Sequence, residues 1–425
     1  MIFAEIVAKG KRRFSHCGAP LAALMVFAFN SIWLTRACVH LLPLRSCRQK
    51  SGVILYCEAF QSGQCLSCPH IHSPYSTQLA QKQASLQQLL PDLVLETPVA
   101  SAPSHFRNKA KMVVMGTCAD PVLGILQAGQ QVDLTGCLLY PEVFQQAFAR
   151  LRGFIQQVGL EPYQLDTRRG ELKYILLSYS ALDGWLLRFV LRSQHHLAAV
   201  RKHLPQLQQQ WPELTVVTVN LQPDHKAILE GEQEFVLSEQ TMLRQQLNDV
   251  VLYLQPQSFF QTNSQVAAAL YQAARDWTAP LMPTRIWDLF CGVGGFALHL
   301  AQTGRSVTGI EISAPAIACA SRAAAERGVS IDFRALDAAA FADASREAPD
   351  VLLVNPPRRG LGAELCQRIA QLQPAAVLYS SCNPLTLAKD LQWLPNYQAV
   401  KAQLFDMFPH TDHAEVLVLL KRVAA

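Results

Sequence analysis

A thiol at the end of a buried strand is placed to act as a nucleophile. Tyr379-Ser380-Ser381-Cys382-Asn383-Pro384 offers one in Cys382. The apolar run Ala375-Ala376-Val377-Leu378 before it reads as a central strand, and a helical pattern begins after Pro384. Open α/β sheets put their chemistry at the carboxyl ends of their strands. The plain alternative is a packed core thiol, because free cysteine is among the most buried residue types. Its company favours chemistry. Asp288-Leu289-Phe290-Cys291-Gly292-Val293-Gly294-Gly295-Phe296 ends a strand, turns on glycines and starts a helix. Glycines there let a ligand approach the backbone closely. The spacing is not G-x-G-x-x-G, which disfavours a dinucleotide.

A second group of thiols stands in the first third of the chain. Cys57, Cys65 and Cys68 follow C-x7-C-x2-C, and Cys137 lies in Thr135-Gly136-Cys137-Leu138-Leu139-Tyr140-Pro141. Three close cysteines and a distant fourth suit a four-thiolate site that either zinc or an iron–sulfur cluster would occupy, and the three-plus-one spacing leans towards the cluster. Twelve cysteines without an extracellular disulfide framework fit a reducing compartment, and hence a cytoplasmic protein.

These groups need elements to position them. From residue 255 onwards strand and helix patterns alternate, predicting a doubly wound sheet. Asn263 is the expected N-cap of a helix over 264–277. The strand at 306–310 ends in Glu311, placed to accept hydrogen bonds from ribose hydroxyls. An acid there, after a compact glycine turn, is the pattern of S-adenosylmethionine (SAM) enzymes. Asp337, after a third strand, is a weaker candidate for an adenine amino group, and the strand at 350–354 runs into Asn355-Pro356-Pro357-Arg358-Arg359-Gly360.

The fold class expected is α/β, with a C-terminal Rossmann-like domain of the SAM-dependent type over 251–425. A β-rich central domain is expected over 101–250 and a cysteine-bearing segment over 55–100. Within the central domain Arg107, Lys109 and Lys111 alternate along a predicted strand and so share one face. Residues 101–203 carry a local charge of +5, which suits phosphate contacts, although an ordinary solvated face reads the same way. Overall charge is no guide: residues 1–50 hold +7, and the other 375 residues sum to −2.

Residues 1–54 stand apart. Lys9, Lys11, Arg12 and Arg13 precede an apolar run at 21–29, like the charged and apolar parts of a signal peptide or short anchor. The run is short for a membrane span. The reading preferred here is a start-site artefact, with translation beginning near Val53 or Leu55; a membrane role is disfavoured.

From about residue 55 to 425 the chain resembles the bacterial RNA uracil-C5 methyltransferases. The motifs that carry the resemblance are the four cysteines, Phe106-Arg107-Asn108-Lys109, Ser258-Phe259-Phe260-Gln261-Thr262-Asn263, the 288–296 loop, Asn355-Pro356-Pro357-Arg358, Ser381-Cys382-Asn383-Pro384 and His413-Ala414-Glu415. The cysteines are absent from the transfer-RNA branch. The larger 23S branch carries an extra N-terminal barrel and an Asp in place of Asn355. Within the family the chain resembles the iron–sulfur branch acting on 23S ribosomal RNA at a uracil-747-type position.

The resemblance implies SAM as methyl donor and a 4Fe–4S cluster on Cys57, Cys65, Cys68 and Cys137. It also implies 23S rRNA as partner, with no obligate protein partner. Cys382 becomes the nucleophile that attacks C6, Glu415 the base that removes the C5 proton, and Gln261, Phe290, Glu311 and Asn355 the SAM contacts. Asp288 is expected to shape the loop, and Phe408-Pro409-His410 to line the opening through which an unstacked base enters. Three rivals remain. An amino-group N-methyltransferase would use Asn355-Pro356-Pro357, although Arg358 replaces the usual aromatic. A membrane-tethered iron–sulfur protein would use the N-terminal run and the cysteines. A non-catalytic RNA-binding module would leave Cys382 and Glu415 unexplained.

Overall fold

The computed structural model describes residues 54–226, 228–344 and 347–423. The apolar run near the N-terminus, with the start-site and anchor readings attached to it, lies outside the described residues. Among the described residues no helix is long and apolar enough to cross a membrane.

Among the described residues two helices come first, α1 (Glu58–Gln61) and α2 (Tyr75–Leu89). The central sheet follows, with β1 (Lys109–Gly116), β2 (Pro121–Gln127), β3 (Gln130–Asp133), helix α3 (Val143–Val158), β4 (Leu172–Ser180), β5 (Gly184–Leu191), helix α4 (Leu197–Gln210), β6 (Leu214–Leu221) and β7 (Gln233–Val236). Its strand order is β3-β2-β1-β4-β5-β6-β7. All neighbours pair antiparallel except β5 and β6, whose parallel pairing needs the crossover that α4 supplies. Apolar residues of α3, among them Phe144, Phe148, Leu151 and Ile155, pack with buried side chains of β1, β4 and β5 into one core.

A hairpin, β8 (Leu243–Leu247) and β9 (Val250–Leu254), leads to α5 (Ser264–Thr278). The boundary expected at residue 250 falls inside this hairpin. Leu243, Leu247, Val250, Leu252 and Leu254 pack into the core formed by the C-terminal sheet and its helices, so the hairpin belongs with that half. Alternating burial along β8 is what an amphipathic two-stranded flap produces when one face lies on a core.

The C-terminal half continues with β10 (Arg285–Leu289), α6 (Gly295–Leu300), β11 (Ser306–Glu311), α7 (Ala314–Arg327), β12 (Asp332–Ala335), α8 (Ala338–Ala344), β13 (Val351–Val354), α9 (Gly362–Leu372), β14 (Ala376–Ser381), α10 (Pro384–Leu391), β15 (Tyr397–Phe405) and β16 (Glu415–Arg422). The order is β12-β11-β10-β13-β14-β16-β15, parallel except for β16, which is antiparallel to both neighbours. This is the doubly wound sheet expected. Strand order reverses between β10 and β13, and in such sheets that switch point is where ligands bind.

Residues 55–100 do not stand alone. Leu86 and Leu93 are buried with Trp287, Leu352, Val377 and Val418 of the C-terminal sheet. Leu95 bridges Ala402 and Val99 bridges Phe405, both parallel, so this chain runs along the sheet's outer strand β15. Helix α2 stops at Leu89, and residues 95–99 are taken up by that edge.

Candidate active site

Cys382 lies one residue beyond β14 at the start of α10. The Asn383 side chain accepts a hydrogen bond from the Leu385 amide at 3.2 Å, capping α10, and its Nδ2 donates to the Arg358 carbonyl at 3.1 Å. Thr386 Oγ1 donates to the same carbonyl. Two strand-end loops, after β13 and after β14, are thereby tied together.

Glu415 opens β16, which pairs antiparallel with β14 so that Val416 faces Ser381. One step further along the ladder lie Glu415 and Cys382, 33 residues apart in sequence. Glu415 is 2 % exposed, and its carboxylate accepts the Ser380 hydroxyl at 2.6 Å. Burial raises its pKa to about 7, against the lowering effect of Ser380. The Cys382 thiol is pushed up by its own burial and by Glu415, and pulled down by Arg358. A base poised near neutrality beside a thiol facing a guanidinium is an arrangement for moving protons.

A cavity of about 560 Å³ runs along these strand ends and is lined by Gln261, Phe290, Glu311, Asn355, Cys382 and Glu415. The structure thus brings together all six residues expected to work on substrate and cofactor. Glu311 accepts the amides of Gly292 (3.2 Å) and Ser313 (3.0 Å), which fixes its carboxylate at the tip of β11. Phe290 has φ +64°, a left-handed conformation uncommon outside glycine, and so marks a strained turn at the cavity wall. At Gly295 a Cβ would come within 2.5 Å of the Tyr271 ring, so only glycine lets that ring close the floor.

Asp288 does not line the cavity. It is buried, one oxygen accepts the Ala297 amide at 2.9 Å, and the other has no partner. Burial raises its pKa to about 8. It therefore holds the start of α6, the loop-shaping role expected. Asp337 lines the cavity, but its Oδ1 caps α8 through the amides of Ala339 and Ala340. Phe408 also lines the cavity. His410 does not: its amide donates to Gln78 Oε1 and its Nε2 lies 2.7 Å from the Pro103 carbonyl, so it belongs to a buried junction rather than to the opening.

That junction clamps α2 to the loop before Glu415. Lys82 Nζ donates to Asp406 Oδ1 (2.6 Å) and to the carbonyls of Phe408 (2.9 Å) and His413 (2.8 Å). Tyr75 donates to Asp406 Oδ2 at 2.7 Å, and the His70 amide donates to the His410 carbonyl at 3.1 Å. Nothing in the sequence pairs Lys82 with Asp406 across 324 residues. The residues that sequence reading missed near the thiol are Arg358 as a charge partner and Ser380 as the donor to Glu415. A hydroxyl on an otherwise apolar buried strand was the available signal for Ser380.

A separate cavity of about 1000 Å³ is lined by Cys57, Cys65, Cys68 and Cys137 together with Arg107, Lys109 and Lys111. The four cysteines are free. Burial and the other three thiols push Cys68 up to about 12. Among the described residues no three or more His, Cys, Asp or Glu side chains meet at the spacing of a single bound ion. Phe259, 73 % exposed, and Phe260 line this cavity and the 560 Å³ one alike.

The family described as tRNA (Uracil-5-)-methyltransferase matches residues 74–423. A Pectobacterium atrosepticum protein named 23S rRNA (uracil(747)-C(5))-methyltransferase RlmC is 53% identical over 374 residues, covering 87% of this chain and 100% of that one. A Shewanella loihica protein of the same name is 52% identical over 375 residues, covering 86% and 99%. Among solved structures, the Pyrococcus abyssi tRNA (uracil-54, C5)-methyltransferase in complex with S-adenosyl-L-homocysteine superposes with a TM-score of 0.71 at 26% identity, covering 84% of this chain and 86% of that one.

Proposed function

The chain belongs to the tRNA (uracil-5-)-methyltransferase family, and on that basis we propose that it transfers a methyl group from SAM to C5 of a uridine in 23S rRNA, at a uracil-747-type position. The observation that carries this reading is the meeting of Cys382 and Glu415 in the wall of one cavity with Glu311 and Asn355. An N-methyltransferase using Asn355-Pro356-Pro357 has no need of a thiol and a buried base beside it. On this reading the protein works in the cytoplasm, where ribosomal RNA is.

SAM, when bound, supplies an electrophilic methyl group. Gln261, Phe290, Glu311 and Asn355 are the residues that would hold it, with Glu311 turned to ribose hydroxyls. Uracil C5 is a poor carbon nucleophile. Bond formation from the Cys382 thiolate to C6 moves the C5–C6 π electrons onto C5, which then takes up the methyl group as its bond to the sulfonium sulfur breaks and S-adenosylhomocysteine leaves. Arg358, which favours the thiolate, helps form the nucleophile. Glu415 then takes the C5 proton, the C5–C6 double bond re-forms, and the C6–S bond breaks to release Cys382.

Four free thiols lining one cavity are a donor set that an iron–sulfur cluster accepts, and Cys57, Cys65, Cys68 and Cys137 are the residues that would hold it. Its role would be to staple residues 57–68 beside the basic strand face of Arg107, Lys109 and Lys111. Cys68→Ser and Cys137→Ser, purified without oxygen, are expected to lose iron and visible absorbance and to lose thermal stability. Full iron content in both variants would remove these residues from the ligand set.

The reaction is tested by methyl transfer from labelled SAM to unmodified 23S rRNA, with product nucleosides analysed. Appearance of 5-methyluridine at one position supports it; methyl on nitrogen refutes it. The pH profile gives a second check. Because Glu415 must be ionised to accept the C5 proton after methyl transfer, and burial raises its pKa to about 7, kcat should rise with pH through that value. It should go on rising above it, because the Cys382 thiol is held above its ordinary range. A profile flat between pH 6 and 8 would argue against Glu415 as base.

A further inference from the structure

Cys382 borders two cavities. Besides the 560 Å³ cavity there is one of about 480 Å³ on the side of α2, and Arg358 and Cys382 line both. The second cavity is walled by Gln81, Ser85 and Leu89 of α2 and, opposite, by Leu385 and His413. We infer that it receives the nucleotide covalently next to the target uridine, so that two successive nucleotides of the RNA sit on either side of the thiol. This rests on the rRNA methyltransferase reading above.

The target base must bring C6 to Cys382 inside the first cavity, where the SAM-holding residues are. Its ribose and phosphate continue the strand out of that cavity past Cys382 and Arg358, which stand at the rim it shares with the second. A guanidinium at that rim is a phosphate partner. The strand that passes it meets the second cavity at once. The surfaces there match a nucleobase: Leu385 is 67 % exposed, although it follows the helix-starting Pro384 where a polar residue would serve as well. Gln81 and Ser85 are exposed and offer an amide and a hydroxyl to a base edge. Lys82 is not available to the ligand, because its ammonium is spent on Asp406 and two carbonyls. A volume of 480 Å³ is within the range of small-ligand sites. Single-stranded RNA is read in this way, by splayed bases held on their faces and edges.

The test uses the full-length protein, a 23S rRNA fragment and the same fragment made abasic at either neighbour of the target. In wild type an abasic site at one neighbour, and not at the other, is expected to raise KM for the RNA by about tenfold, the order of a lost base contact, with kcat and the KM for SAM changed less than twofold. Leu385→Asn and Ser85→Trp should each raise KM for the intact fragment by a similar factor. In both variants the abasic penalty should shrink to under twofold, because the contact it removes is already gone. Penalties that multiply, or variants with unchanged KM, overturn the subsite. Direct binding of the same fragments to Cys382→Ala separates this from the reaction. Binding with the neighbour dependence but no methyl transfer by wild type would overturn the reaction and keep the subsite. Transfer without that dependence would do the reverse.

Discussion

Cys382→Ala is expected to make no detectable 5-methyluridine, with activity down by on the order of 10⁴ or more, while SAM binding stays within about twofold of wild type. The thiol lies in the cavity wall after β14, whereas Glu311 ends β11 and the glycine loop that would hold the cofactor follows β10. Its loss removes the group that on this reading makes C5 nucleophilic. Glu415→Gln is the complementary case. The glutamine keeps an oxygen to accept the Ser380 hydroxyl, so the local fold should survive. Attack on C6 and methylation proceed, but the C5 proton has no base, and turnover falls by about 10²–10⁴. A protein–RNA adduct stable to denaturing electrophoresis should accumulate in Glu415→Gln and be absent from Cys382→Ala. Adduct in neither, or methylation by Cys382→Ala, would sink the covalent route.

Lys82→Met should destabilise the protein by about 3–5 kcal/mol, the size found when one partner of a buried ion pair is removed. The lysine and aspartate side chains are 7% and 0% exposed, so water cannot replace the lost ammonium. The methionine also removes the Lys82 donor from the His413 carbonyl and leaves the Phe408 carbonyl only the Thr411 hydroxyl. The midpoint of urea unfolding reads the loss. Adding Asp406→Leu should restore part of it, because the stranded carboxylate goes too. A single variant within 1 kcal/mol of wild type would show that the clamp is not energetically important. Because the clamped loop carries Phe408 into the cavity and leads straight into Glu415, kcat should drop in the folded fraction as well.

How much of this was legible beforehand differs from residue to residue. The doubly wound half was readable because buried parallel strands leave continuous apolar runs, and because glycines, Asn263 and Pro384 punctuate them. Cys382, Glu311 and Asn355 were readable as strand-end residues. Glu415 was not, apart from the family resemblance: a carboxylate at the start of a strand has no local signature, and its work depends on an antiparallel register. The Lys82–Asp406 pair was invisible for the same reason. The domain limit at 250 was misplaced because the β8–β9 hairpin is short and half-buried, and sequence alone does not say which core receives its apolar face. His410 was expected at the opening on proximity to Phe408, but it turns into the α2 junction.

The run of residues 95–99 along β15 has a consequence for dissection of the molecule. β15 is the last strand of its sheet, and an uncovered last strand presents a row of unpaired amides and carbonyls that invites other chains to add to it. Glu96 and Val99 donate their amides to the carbonyls of Ala402 and Leu404 and so occupy part of that row. A protein trimmed to its methyltransferase half would lose this cover along with the apolar side chains of Leu86 and Leu93, and would be sticky rather than minimal. The cysteine-bearing end of the chain is thus also the selvedge that keeps the catalytic sheet from fraying into its neighbours.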